Sequence, residues 1–475
     1  MTQGSVGAER LEEFRLGVLG PVLSPEDPGY DEVRPVWNGM YDQRRAAVTV
    51  RPMGVADVQA AIAFARANDL TIAVRGGGHS LSGASSIDGG MLLDLSLMHG
   101  VRVDPKGRVA VAAGGTLFSE LDRETQVHGL ATTGGMISHT GIAGLTLNGG
   151  VGRLMRKAGL TCDNVLGLDV VLADGRWVHA DADENSDLYW ALRGGGGDFG
   201  VVTQFEYQLH PLGPIVSGGY IGWTIDQTED VFSQLADEIY GSPEELQLEF
   251  IFVTGPEVEL IPPHLQGAPI ILLTVTWMGD DLDEGERHIA PFREKVKPAF
   301  EFLGQFPYAA LQGMADVLAP HGRRSYTYAG YFDDELPDEL LDVAATFTSE
   351  CPSPVWPTVE IYQMGGAVSR VPKDATPASA FRDAGWYYIA GASWWDPADD
   401  EAGIDWVKRL DAAFEPFRLP GRYINFVSED DLEGQRESLG EQTFARLTEI
   451  KAKYDPDNVF SRNPNKRPAA VPAAV

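Results

Sequence analysis

The run Val74-Arg75-Gly76-Gly77-Gly78-His79-Ser80 sets three residues without a Cβ between an arginine and a histidine. Glycine tolerates positive φ and lets successive N–H groups form a concave nest, so the run suits close approach of the backbone to a large anionic cofactor such as one carrying a pyrophosphate. Arg75 adds charge, and His79 faces whatever is held there. Taken alone, a glycine cluster also reads as an ordinary turn. A second set lies in Thr358-Val359-Glu360-Ile361-Tyr362. In a strand, Thr358, Glu360 and Tyr362 share one face while Val359 and Ile361 take the other, which leaves a polar face available for chemistry. The same pattern fits the solvent side of a half-exposed strand.

Between Ala46 and about Leu212, short apolar strands (Ala47–Val50, Thr71–Val74, Met91–Asp94, Arg108–Ala112) alternate with helices over Val55–Ala67 and Leu117–His128. This predicts a layered α+β domain. Its loops are dense in glycine at Gly76–Gly78, Gly134–Gly135, Gly149–Gly152 and Gly194–Gly200, a concentration that points to backbone packed against a ligand. Past His210-Pro211-Leu212-Gly213-Pro214 the strands lengthen and gain aromatic residues: Leu246–Thr254, Ile270–Met278, Val359–Gln363 and Trp386–Trp395. They predict one antiparallel sheet with acidic helices between its strands. A helix over Gly440–Tyr454 follows, stopped by Pro456, and the end from Pro468 to Val475 reads as frayed.

A chain of 475 residues with 44% hydrophobic and 22% charged residues holds two or three well-filled domains. A formal net charge of −32 argues against nucleic acid and against anionic membrane as partners. Cys162 and Cys351 are the two cysteines, far apart and without metal-ligand spacing, so no disulfide framework and no metal site are expected, in keeping with a reducing compartment. The stretch Met1 to Leu16 is polar and acidic with no apolar core, and no run of eighteen apolar residues occurs, which reads as a soluble cytoplasmic protein.

Several motifs then occur in order: Arg75-Gly-Gly-Gly-His79-Ser80, Ser138-His139-Thr140-Gly141-Ile142-Ala143-Gly144, Gly149-Gly150-Val151-Gly152-Arg153, Leu160-Thr161-Cys162-Asp163-Asn164, and Arg193-Gly194-Gly195-Gly196-Gly197-Asp198-Phe199-Gly200. With Tyr423-Ile424-Asn425-Phe426 and Tyr454-Asp455-Pro456-Asp457-Asn458-Val459-Phe460, they resemble the FAD-linked oxidases of the vanillyl-alcohol-oxidase superfamily, and within it the berberine-bridge-enzyme-like branch. The resemblance implies an α+β fold: a PCMH-type FAD-binding domain of two α+β subdomains at 46–214 after an extension at 1–45, a substrate domain with an antiparallel sheet flanked by helices at 215–420, and a segment at 421–475 that returns to the FAD domain. It implies FAD contacts from Arg75, Gly76, Gly77, Gly78, His79, Ser80, Ser138, His139, Thr140, Gly141, Gly144, Gly149, Gly150, Gly152, Asn164, Val201, Tyr423 and Asn425. His79 takes the position that bonds the flavin 8α-methyl, through one of its two ring nitrogens.

Where this branch carries a second, cysteinyl bond to flavin, the chain has Ile137, so one bond through His79 is expected and Cys162 is read as a small buried hydrophobe. Thr140 stands at the position that gates oxygen; its near-valine shape permits an oxidase. Relatives end their Tyr-x-Asn-Tyr motif in a tyrosine base, and here that place is Phe426. The base must come from elsewhere, with Glu360, Tyr362 and Tyr423 as candidates, because a carboxylate desolvated against a flavin acquires the raised pKa that suits proton abstraction. Each also reads as a satisfied core residue. Asn148 replaces a glycine of the motif and tolerates the same backbone.

The expected activity is that of an FAD-dependent oxidase taking a hydride from a C–H beside an alcohol or amine of a small substrate and passing electrons to O2 as H2O2. Trp277, Tyr326, Tyr328, Tyr331, Trp356, Trp394 and Trp395 suggest a pocket for a ring-bearing molecule, although sheet packing accounts for such residues equally. Oxidative cyclisation or multistep oxidation of a secondary metabolite, and a flavin-fold protein that binds a ligand without turnover, are the alternatives.

Overall fold

A computed structural model describes residues 7–428, 432–462 and 467–469. Parts of two expectations, the polar start at residues 1–6 and the frayed end at 470–475, lie outside the described residues.

Three larger sheets organise the described residues, beside a two-stranded one of Leu130–Ala131 and His210–Pro211. The first has four strands in the order Val22–Leu23, Val48–Val50, Met91–Asp94, Ile72–Arg75, and the last three run parallel. Helix Val55–Ala67, with the bounds expected, is the crossover that parallel strands require. It seats Val58, Ala61, Ile62 and Ala65 on Val48, Val50, Ile72, Met91 and Leu93. The second sheet is antiparallel, in the order Val101–Asp104, Val109–Ala113, Val201–Gln208, Val165–Val171, Trp177–Asp181. Helices Phe118–Gln126, Ile142–Leu147 and Ser186–Leu192 pack on it through Phe118, Leu121, Ile142, Leu147, Leu188 and Leu192. The fold is therefore α+β, as expected.

The third sheet carries eight antiparallel strands, in the order Phe300–Pro307, Ile215–Thr224, Pro269–Trp277, Leu246–Thr254, Trp356–Gln363, Trp386–Trp394, Arg324–Phe332, Arg418–Leu419. Helices Thr228–Gln234, Leu282–Glu294, Asp338–Ser349 and Asp400–Phe414 cover one face, where Phe250, Phe252, Val359, Ile361, Trp394 and Trp406 are buried. The period-two alternation leaves the opposite face for the site.

The C-terminal helix begins earlier than the sequence pattern suggests. It spans Leu432–Tyr454, with Gly440 at φ 68° and ψ 157° breaking it at the point where periodicity alone starts a helix. Leu439, Leu447, Ile450 and Tyr454 pack into the core of the second sheet, and Phe460 into that of the first. Among the described residues, no helix is long and apolar enough to cross a membrane.

Candidate active site

A cavity of about 990 Å³ lies between the uncovered face of the eight-stranded sheet and the glycine-dense loops of the other two. Its glycine side is built by close backbone packing. A Cβ at Gly77 would stand 2.2 Å from the Gly141 nitrogen and 2.5 Å from its Cα, so the turn after strand Ile72–Arg75 and the one before helix Ile142–Leu147 touch main chain to main chain. Gly78 adds a φ of +74°, which favours glycine. Gly144 has no atom within 4 Å of where its Cβ would be, so its cavity-facing side is left open. Gly196, Gly197, Asp198 and Gly200 complete this wall. We expect Gly77→Ala to be destabilising by roughly 1–3 kcal/mol, the usual cost of overpacking. The flavin-to-protein absorbance ratio and the melting temperature should both fall, and an unchanged ratio would show that the two turns do not shape the cofactor wall.

The sheet side is polar. Strand Trp356–Gln363 points Trp356, Thr358, Glu360 and Tyr362 into the cavity, as the alternation predicts. Strand Leu246–Thr254 adds Glu249, paired in register with Tyr362, a residue that the sequence reading did not single out. The Tyr362 hydroxyl donates to Glu360 Oε2, and burial first, then the neighbouring Glu249 charge, raise its own pKa. It thus sits between two buried acids. Burial first, and then the neighbouring Glu249 charge, push Glu360 up to about 8 from the ordinary 4.5. Burial also raises Glu249, but Arg153 favours its charged form. The first negative charge of the pair is therefore placed on Glu249, and Glu360 holds the proton.

His79 lies at the opposite wall. Its Nε2 is 2.7 Å from His139 Nδ1, one donating to the other according to tautomer, and its ring stacks on Trp37 at 5.3 Å between centroids. Burial, then His139 and His321, hold its pKa down to about 3, so the imidazole is neutral. The sequence shows no metal-ligand spacing, yet His79, His139 and His321 bring ring nitrogens within 4.8 Å of one another. A metal about 2.1 Å from each nitrogen needs them within roughly 4 Å; as they stand, His79 and His139 share a hydrogen bond and His321 packs its ring against both.

Of the residues expected at the cofactor, Gly76, Gly77, Gly78, His79, Ser80, Thr140, Gly141, Gly144 and Asn425 line the cavity. Others stand behind it. Arg75 directs its guanidinium to Asp94 and to the carbonyls of Val33, Arg34 and Pro35, because strand pairing sets Arg75 beside Asp94. Its charge is thereby neutralised inside the fold. Ser138 is held by Asp316 through its N–H and hydroxyl, and His139 contacts the cavity by way of His79. Gly149, Gly150 and Gly152 pack against Phe381, Thr161 and the Gly134 carbonyl. Asn164 donates to the carbonyls of Ala158 and Leu160 and pairs with His210. Val201 is a core residue beside Val171. Tyr423 is fully buried outside the lining; its hydroxyl accepts from the Val151 N–H and from Asn425 Nδ2, and burial pushes it up to about 12. It shapes the turn and orients Asn425.

Ile137 and Phe426 line the cavity at the two places where the branch pattern is broken. Cys162 is buried in an apolar cluster with Val151, Met155 and Tyr362, and burial raises its thiol pKa. Of the seven aromatic residues suggested for the pocket, Trp356 and Trp395 line it. Trp277, Tyr326 and Trp394 point to the helix-covered face, and Tyr328 packs against that core, while Tyr331 lies in the Cys162 cluster. Tyr220, Tyr362 and Tyr387 supply the remaining cavity tyrosines. The signal for Glu249 was a lone acid amid Leu246-Gln247-Leu248 and Phe250-Ile251-Phe252. His321 and Arg323 sit in a loop with no pattern of its own.

A glycine-floored cavity of about 990 Å³ with a neutral histidine on one wall and titratable acids on the other fits FAD in size and chemistry. These features define an FAD-linked oxidoreductase. The FAD binding domain model matches residues 46–181, the berberine and berberine-like model matches residues 422–465, and the chain belongs to this family of FAD-linked enzymes. It is 32% identical to (R)-6-hydroxynicotine oxidase of Paenarthrobacter nicotinovorans, over 95% of this chain and 98% of that protein. It is also 32% identical to the FAD-linked oxidoreductase YvdP of Bacillus subtilis, over 93% and 97%. The crystal structure of 6-hydroxy-D-nicotine oxidase from Arthrobacter nicotinovorans superposes with a TM-score of 0.82 at 30% identity, covering 94% of this chain and 98% of that one. The Physcomitrella patens BBE-like 1 structure, at 22% identity, shares the fold with a TM-score of 0.83 over 98% and 99%.

Proposed function

We propose that the chain is an oxidase of a C–H bond beside the nitrogen of a small ring-bearing amine, with O2 as electron acceptor. The observation that carries this reading is the pair of buried acids Glu249 and Glu360 in one cavity wall, with Tyr362 bonded to Glu360 and in register with Glu249. With one negative charge shared by the pair, the site attracts a cationic amine; an alcohol gains less from it. Bound FAD supplies the hydride acceptor and returns two electrons to O2 as H2O2. The cation lowers the Glu360 pKa so that Glu360 releases its own proton to solvent; the carboxylate, held by Tyr362, then takes the amine proton. Tyr220, Tyr362 and Tyr387 confine the ring. Residues 46–214 hold the cofactor in this reading, 215–420 the substrate, and 421–475 close the cofactor side through Asn425. FAD is bound covalently through His79 alone. The relative named as an oxidase of a hydroxylated nicotine supports an amine on a ring, and 6-hydroxynicotine is the first compound to try in a peroxide-coupled assay of the purified enzyme. Peroxide formation from ring-bearing alcohols but from no amine would overturn the amine assignment.

The pair also sets a pH dependence. A base with its pKa near 8 is protonated at neutrality, so kcat/KM should rise with pH through that region. Removing the Glu249 charge with Glu249→Gln lowers the Glu360 pKa, although burial still keeps it above 4.5. The rising limb should move to lower pH, and a limb that stays in place or moves up would exclude the pairing. Stability runs the opposite way: a folded-state pKa above the unfolded one gives stability that is present below about 4.5 and lost as pH rises through about 8.

A further inference from the structure

At the outer end of the sheet, Arg323 is bracketed by two tryptophans. Its Cζ lies 5.3 Å from the Trp356 ring centroid and 5.6 Å from that of Trp395. The register Arg324↔Trp394 and Trp356↔Ser393 carries Arg323 and Trp395 onto the face that also presents Thr358 and Glu360, and all of them line the cavity. Among the described residues, no acid forms an ion pair with Arg323, and its Nε is buried without a hydrogen-bond partner. The only influence on its pKa is burial, which lowers it. Glu257, the acid of the loop at this end, is not engaged with it. The other lining arginines also have a buried Nε that makes no hydrogen bond, but their terminal nitrogens are engaged within the fold: Arg153 by Gln312, and Arg462 by the carbonyls of Gly83 and Ser86.

A half-buried guanidinium within cation–π range of two rings and with donors to spare is poised for a planar anion, since its fork matches a carboxylate in two hydrogen bonds. In a chain of net charge −32 it is a local inversion of sign. We propose that Arg323, within cation–π range of Trp356 and Trp395, is a carboxylate-binding subsite at the cavity mouth, and that the substrate carries a carboxylate at the end remote from the reacting carbon. Calling the ligand a substrate rests on the oxidase reading above. Trp356 and Glu360 are four residues apart on one strand, about 13 Å at the usual rise, so the anion and the amine belong to opposite ends of an elongated molecule. The site then holds a substrate of opposed charges in one orientation, positive end at the acid pair and negative end at Arg323.

The test uses the holoenzyme and an unreactive pair of probes, 4-phenylbutanoate and its neutral isostere 4-phenylbutanamide, titrated by flavin absorbance and tryptophan fluorescence. The expected result is a carboxylate bound about tenfold more tightly than the amide, equivalent to about 1.4 kcal/mol. Arg323→Gln should bring the two within twofold, and Arg323→Lys should retain part of the preference. Because Arg323 has no ion-pair partner among the described residues, flavin content should stay unchanged in both variants, and the melting temperature should fall by no more than the loss of two cation–π contacts allows, which separates lost binding from lost fold. Equal affinities in the unaltered enzyme, no detectable carboxylate binding, or a preference that survives Arg323→Gln would each overturn the subsite. Turnover is not measured, so the amine-oxidase reading can fail while this one stands, and the reverse.

Discussion

Glu360→Gln is expected to lower kcat/KM by roughly 10²- to 10⁴-fold, the usual span for loss of a positioned general base. Glutamine keeps the size of the side chain and can still accept from Tyr362 Oη, so the cavity should keep its shape. What goes is the group able to hold a proton. Burial makes the carboxylate a stronger base than one in water, and Glu249 strengthens it further, so the variant loses a group that its surroundings have specifically prepared. The loss should appear in the anaerobic rate of flavin bleaching by substrate as well as in steady-state peroxide formation, and the alkaline rise near pH 8 should disappear. Tyr362→Phe should be milder, because it frees the carboxylate without removing it. A Glu360→Gln enzyme that bleaches its flavin at the original rate would shift the base to Glu249. One that loses only the oxygen step would remove Glu360 from the chemistry at the substrate carbon.

The same strand shows what was readable from local pattern and what was not. Helix Val55–Ala67 and strand Leu246–Thr254 have the bounds expected, since each is framed by its own periodicity. The polar face of Trp356–Gln363 was equally visible, because alternation is a property of one strand. Glu249 was hidden for a different reason. In Leu-Gln-Leu-Glu-Phe it is one acid in an apolar strand, and only the non-local register Glu249↔Tyr362 turns it into half of a coupled pair. Arg75 illustrates the converse. Its neighbours in sequence suggested an anion site, whereas its neighbour in the sheet, Asp94, claims the charge. Arg323 became visible only when the sheet brought Trp356 and Trp395 within cation–π range of it. Glycine motifs fare better because they encode main-chain contact directly, as with Gly77 against Gly141.

Covalent attachment should depend entirely on His79. Denatured under acid, the unaltered protein is expected to weigh more than its sequence by one FAD and to keep yellow fluorescence on the precipitated chain, whereas His79→Ala should show the sequence mass and release its colour to the supernatant. The structure supplies the reason a histidine can serve here. Its pKa of about 3 leaves the ring neutral across the working range, so a lone pair is available, and the bond between its Nε2 and His139 Nδ1 fixes which way the ring faces. Trp37 stacked on the ring limits its rotation. His139→Ala should therefore slow attachment without abolishing it, seen as a mixture of masses that matures on incubation with FAD. Cys162→Ser is the matched control, since the thiol lies outside the cavity and burial holds it protonated. Its mass should still include one FAD. Attachment that persists in His79→Ala, or that vanishes in Cys162→Ser, would move the link away from the glycine-framed histidine. With His79 removed, FAD is retained by the Gly76–Gly78 and Gly141–Gly144 walls alone, so occupancy should become dependent on added FAD. An enzyme that loses both the bond and all affinity would mean that the histidine, rather than those walls, is what holds the cofactor.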